Sequence, residues 1–159
     1  MRITPRSTTM KNLLLSPITL LFFLTTALLS CGQAIPKIDF DHAECAHCRM
    51  NVVDRQFGAA LHTLKGRQYV FDDVQCMIQH VANGTIAEDQ VDAWYVCDHA
   101  HPGVLIDATT AVYVKGPGFR SPMRGDAAAF ATADDRTIAV KDKGGEELDW
   151  AQLREALKP

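Results

Sequence analysis

The chain has 159 residues, 47% hydrophobic and 22% charged, with 16 Lys and Arg against 19 Asp and Glu. That balance excludes a disordered chain and a multi-pass membrane protein, and it fits one ordinary domain or two very small ones. Residues 1–30 hold Arg2, Arg6 and Lys11 and no acid, so the remainder carries 13 bases against 19 acids, a net −6. Such an acidic remainder excludes nucleic acid as a partner, because phosphate neutralisation supplies much of that affinity.

Three bases followed by an apolar run to Leu29 have the form of an export signal. Its uninterrupted part, 18–29, is too short to span a hydrocarbon core of about 30 Å. The run ends in Leu28-Leu29-Ser30-Cys31-Gly32, which resembles a bacterial lipobox and so implies cleavage before Cys31 and its lipidation. The same resemblance implies, from Gly32 rather than Asp after that cysteine, sorting to the outer over the inner membrane. Residues 31–40 then read as a lipidated tether.

Residues 57–64 and 67–71 flank Lys65-Gly66, a two-residue hairpin signal. Asp72 with Gln75 has capping-box spacing. Val74, Met77, Ile78 and Val81 follow as the core stripe of a helix that ends at Asn83-Gly84. Residues 93–97 read as a strand. In the second half, 104–106 and 111–114 are strand-like, 126–132 reads as an Ala-rich helix, 137–140 as a strand and 146–157 as a terminal helix. The expected class is therefore α+β, with two tandem β-β-α-β units over 41–102 and 103–159.

Four cysteines remain beyond Cys31, namely Cys45, Cys48, Cys76 and Cys97, and the dense feature is Cys45-Ala46-His47-Cys48-Arg49-Met50. In an exported chain these fit two disulfides, a thioredoxin-like Cys-x-x-Cys, or a structural zinc site. Met50 adds a fourth reading, since thiolate plus thioether is the soft donor set that selects Cu(I). A thioether carries no proton and cannot be lost to a disulfide. Spacing alone leaves these readings open.

Several blocks follow the cysteine motif in order: Arg55-x-Phe57-Gly58-Ala59, Lys65-Gly66-x-x-Tyr69-x-Phe71-Asp72-Asp73, Ile106-Asp107-Ala108-x-x-Ala111-x-Tyr113-Val114, and Ser121-Pro122-Met123-x-Gly125-x-x-Ala128-Ala129-Phe130. Together with Cys45-x-x-Cys48-x-Met50 they resemble the NosL family, the accessory lipoproteins of nitrous oxide reductase. The resemblance runs from about residue 41 to 140. It implies a membrane-anchored, periplasmic Cu(I) chaperone that delivers copper for the reductase's copper–sulfide centre, working with an ABC-type transporter complex. It also implies a fold distantly like organomercurial lyase. Met50 occupies the motif methionine, Cys45 or Cys48 the motif cysteine, and Met123 in the Ser-Pro-Met block is a further donor or a core filler.

Cys76 and His80, at i and i+4, point away from the predicted apolar stripe. They are a surface pair, a disulfide partner for Cys97, or accessory donors turned toward the 45–50 loop. Cys97, His99 and His101 alternate, so they share a strand face as accessory metal donors or lie in a solvated turn before Pro102-Gly103. The acidic pairs at 72–73, 134–135 and 146–147 fall at helix ends. No nucleophile elbow or phosphate-cradling loop is present, so the expectation is a non-enzyme. The alternatives are an exported thiol–disulfide oxidoreductase using Cys45 and Cys48, or a lipoprotein stabilised by zinc or disulfides.

Overall fold

The structure, a computed structural model, describes residues 35–159. The export signal and Cys31 lie outside the described residues. Ile35–Pro159 packs as one unit. The expected tether ends early, because Ile38 and Phe40 are buried. Both press on Gly58, where a Cβ would stand 3.2 and 3.1 Å from them and 3.4 Å from Cys97 Sγ.

The first sheet holds β1 (Ala59–Thr63), β2 (Gln68–Phe71), β3 (Val91–Cys97) and β4 (Leu105–Asp107), in the antiparallel order β2-β1-β3-β4. Helix α1 (Val74–Ala82) follows β2 and buries Val74, Met77, Ile78 and Val81, the expected stripe. The second sheet, ordered β6-β5-β7, holds β5 (Val112–Lys115), β6 (Ala127–Phe130) and β7 (Glu146–Leu148). Helix α2 (Ala133–Lys143) links β6 to β7, and α3 (Trp150–Ala156) closes the chain. A β-β-α-β order thus occurs twice, as β1-β2-α1-β3 and β5-β6-α2-β7.

Several elements differ from the sequence reading. The strand expected at 104–106 is β4, and it pairs with β3 in the first sheet. The helix expected at 126–132 is the strand β6. Its alanines favour helix intrinsically, but all four residues are buried in pairing with β5, and that packing outweighs propensity. The strand expected at 137–140 lies inside α2, whose N-cap Thr132 accepts from Asp135 N–H. Residues 146–157 divide into β7 and α3, with a capping box of Asp149 and Gln152 at the joint. The β1–β2 connection is wider than two residues, because Thr63 N–H donates to Arg67 O and Gly66 turns at φ +76°.

Candidate metal site

Residues 41–52 double back as a loop stitched by Asp41 N–H to Val52 O, Val52 N–H to Ala43 O and Cys45 N–H to Met50 O. The reversal places Arg49 at φ +68°, a left-handed conformation that costs a non-glycine residue about 1–2 kcal/mol. Ala46 N–H donates to Val70 O, which fastens the loop to strand β2. Helix α1 starts just beyond that strand. Its N-cap is Asp73, one residue later than the spacing indicated, with Oδ1 accepting from Cys76 N–H at 3.0 Å. Cys76 is therefore in the first helical turn.

These two fastenings bring the sulfurs of Cys45, Cys48 and Cys76 within 4.8 Å of one another, with Cys45 and Cys76 buried and Cys48 half-buried. Cys45 is held well below the range of a free thiol. The Cys76 S–H that donates to it is the main cause; burial opposes, and the backbone N–H groups of Cys48, Asp72 and His47 assist. Cys76 is pushed up by that same bond and by burial. Burial pushes Cys48 up as well, partly offset by the Met50 backbone N–H. The cluster therefore holds one thiolate in a ring of donors, flanked by two thiols whose protons a soft ion must displace on binding.

Cys76 and His80 are thus buried, not on a polar surface face. The 41–52 loop covers the side of α1 opposite the core stripe. His80 packs against Phe71 and Tyr69, with ring centroids 5.3 and 5.8 Å away, and edge-on to His47 at 5.9 Å. Burial holds its imidazole below the ordinary histidine range. Met50, whose carbonyl accepts from Cys45 N–H, is 53% exposed. Met123 is half-buried, and its backbone N–H donates to Asp73 Oδ2 at 3.1 Å; that oxygen also accepts from the Ser121 hydroxyl at 2.8 Å. One carboxylate thus ties the Ser-Pro-Met loop to the helix turn that carries Cys76. The loop keeps Arg124 and Asp126 at φ +63° and +49°.

Cys97, His99 and His101 do not converge. Cys97 is buried and a free thiol, pushed up to about 12 by burial, so it bridges neither Cys76 nor any other described cysteine. His99 is enclosed by Phe57, Phe119 and Phe130 at 5.1–5.5 Å, with Nε2 3.4 Å from Lys143 Nζ. His101 faces solvent and pairs with Asp98 at 2.7 Å. Sequence reasoning missed Asp72. Its carboxylate is 1% exposed, has no hydrogen-bond partner, and is raised to about 6 by burial and then by the Cys45 charge. Of the Asp72-Asp73 pair expected to cap the helix end, only Asp73 does so.

The NosL family profile matches residues 37–158, a span that takes in the cysteine loop, both sheets and all three helices. The chain belongs to the NosL family. The crystal structure of the copper chaperone NosL from Shewanella denitrificans is similar in fold, with a TM-score of 0.65 and 20% identity, covering 76% of this chain and 96% of that one. Comparison with curated proteins gives no match. In this NosL-family chain the motif Cys-x-x-Cys-x-Met supplies two of the three clustered sulfurs, and helix α1 supplies the third.

Proposed function

We propose that the chain is a Cu(I) carrier whose cargo sits among Cys45, Cys48 and Cys76, with Met50 and Met123 as the adjoining thioethers. The carrying observation is the three-sulfur cluster itself. Thiolates and thioethers select monovalent copper, which accepts two or three such donors without a rigid cage. That the similar Shewanella protein is a copper chaperone supports the same reading.

The burial gradient gives transfer a direction. Cys45 and Cys76 are buried, Cys48 is half-buried and Met50 is exposed. An incoming donor adds at the Met50–Cys48 side, and the ion then leaves Cys45 and Cys76 last. The thiolate already present at Cys45 lowers the proton release needed for loading.

In this reading Cys31 carries the lipid, the protein faces the periplasm on the outer membrane, and the recipient is nitrous oxide reductase during assembly of its copper–sulfide centre. An ABC-type transporter complex takes part, and the chain catalyses no reaction. The acidic character of the exported part, net −6, provides a docking field for a basic partner surface.

The test is anaerobic competition for Cu(I) between the reduced protein and a chromophoric chelator. Cys45→Ser, Cys48→Ser and Cys76→Ser should each weaken binding by tenfold or more. Copper affinity unchanged in all three would overturn the reading. A reversible dithiol couple that survives Met50→Leu, without copper binding, would instead support the oxidoreductase.

A further inference from the structure

A cavity of about 200 Å³ is lined by Gln75 and Gln79 of α1, Lys115 at the end of β5, Arg124 and Gly125 just after Met123, and Lys158 beyond α3. Three cations thus reach one hollow from three separate segments, and no carboxylate lines it. The chain at large has the opposite balance, with 19 acids against 16 bases. Arg49, Arg55, Arg136 and Arg154 each pair with a carboxylate, whereas Arg124 and Lys115 form no ion pair among the described residues. Lys158 has Glu155, in an exposed pair that contributes little. The backbone fixes these positions. Arg124 stands at φ +63°, which a non-glycine residue rarely adopts, and a Cβ on Gly125 would come 2.6 Å from Gln75 Oε1. Gln79 Nε2 donates to Leu157 O at 3.3 Å and so holds the segment carrying Lys158 against the same helix. Converging like charges repel unless a counter-charge sits between them, and a hollow of one sign concentrates counter-ions.

We propose that this cavity binds a small, multiply charged oxyanion, a dicarboxylate or a phosphate. Arg124 offers a planar fork of N–H donors that matches two oxygens of one carboxylate or phosphate. Lys115 and Lys158 add rotatable ammonium donors, and the Gln75 carboxamide adds an N–H. The lining is mostly polar, so charge supplies the affinity, and salt weakens it. Gln75 and Gln79 are at i and i+4 and share one face of α1, each a residue before Cys76 and His80. The bound ion therefore links β5, the Ser-Pro-Met loop and the C-terminal residues to α1, on the helix face next to the one that carries Cys76. The site uses none of the cysteines and does not depend on the copper reading.

The experiment titrates the metal-free protein at low ionic strength with succinate, with inorganic phosphate and with butanediamide, the uncharged counterpart of succinate, while backbone and arginine side-chain resonances are followed by NMR. The expected result is saturable shifts at Gln75, Gln79, Lys115, Arg124 and Lys158 with an anion and none with butanediamide. The tighter of the two anions tells a carboxylate site from a phosphate site, and either supports the proposal. Affinity should fall by about tenfold when salt is raised to about 0.2 M. Arg124→Gln and Lys115→Gln should each weaken binding by about tenfold, while Arg120→Gln, exposed and outside the cavity, should leave it within about twofold. No saturable shift with either anion, an equal response to butanediamide, or wild-type affinity in both Arg124→Gln and Lys115→Gln would each overturn the proposal. The wild-type comparison of succinate with butanediamide decides the matter even if a variant fails to fold. No copper enters the titration, so its failure and the failure of the copper reading are separate results.

Discussion

Met123 and Asp73, fifty residues apart, are joined by a hydrogen bond of 3.1 Å from the methionine's backbone N–H to Asp73 Oδ2. The other oxygen of that carboxylate caps helix α1 through Cys76 N–H at 3.0 Å. One buried side chain thus sets the distance between the Ser-Pro-Met loop and the first turn of the helix that holds the third sulfur. Gly125 permits the approach, since a Cβ there would stand 2.6 Å from Gln75 Oε1.

Asp73→Ala removes a cap and leaves the Ser121 hydroxyl and the Met123 N–H without their acceptor. The expected loss is about 3 kcal/mol, and Ser121→Ala should lose about 1 kcal/mol, both read by urea unfolding. Two variants with equal, small effects would show that the carboxylate does not organise the loop.

Met50 and Met123 test ligation separately from packing. At 53% exposure Met50 has little to lose in the core, so Met50→Leu should change stability by no more than about 0.5 kcal/mol. Cu(I) affinity should nonetheless fall by about tenfold, the loss that follows removal even of groups supporting a metal site. Met123→Leu, near-isosteric and half-buried, should cost under about 1.5 kcal/mol. Its effect on Cu(I) affinity then reports ligation alone. Leu variants at both positions with wild-type affinity would confine the site to the cysteines.

Asp72 gives a pH signature. Burial raises its carboxyl from 3.8 to about 6, so the folded chain holds that proton more tightly than the unfolded chain. The associated stability is complete below pH 3.8 and is lost as pH rises through 6. Asp72→Asn should therefore stabilise the metal-free protein at pH 8 by about 1–2 kcal/mol and lose that advantage at low pH. Parallel unfolding curves with the same offset at both pH values would contradict this.

Helix α1 was legible because Val74, Met77, Ile78 and Val81 repeat at helical spacing. β6 was not, since Ala127–Phe130 has the composition of a helix and becomes a strand only through burial against β5. At the site, Cys45, Cys48 and Met50 were visible as a motif. Cys76 was visible only as an ambiguity, because its face is buried by a loop some thirty residues earlier, and the fastening from Ala46 N–H to Val70 O leaves no mark in composition. Asp72 and Asp73 looked equivalent. The single-residue shift of the helix start separates a carboxylate with three donors from one with none.

Copper-edge X-ray absorption on the reduced protein loaded with one equivalent of Cu(I) tests the central claim most directly. The three-sulfur cluster predicts an inner shell of two or three sulfurs without nitrogen or oxygen, with sulfur lost in Cys76→Ser. An inner shell of nitrogen or oxygen, or a sulfur shell indifferent to replacing both Cys45 and Cys76, would contradict it.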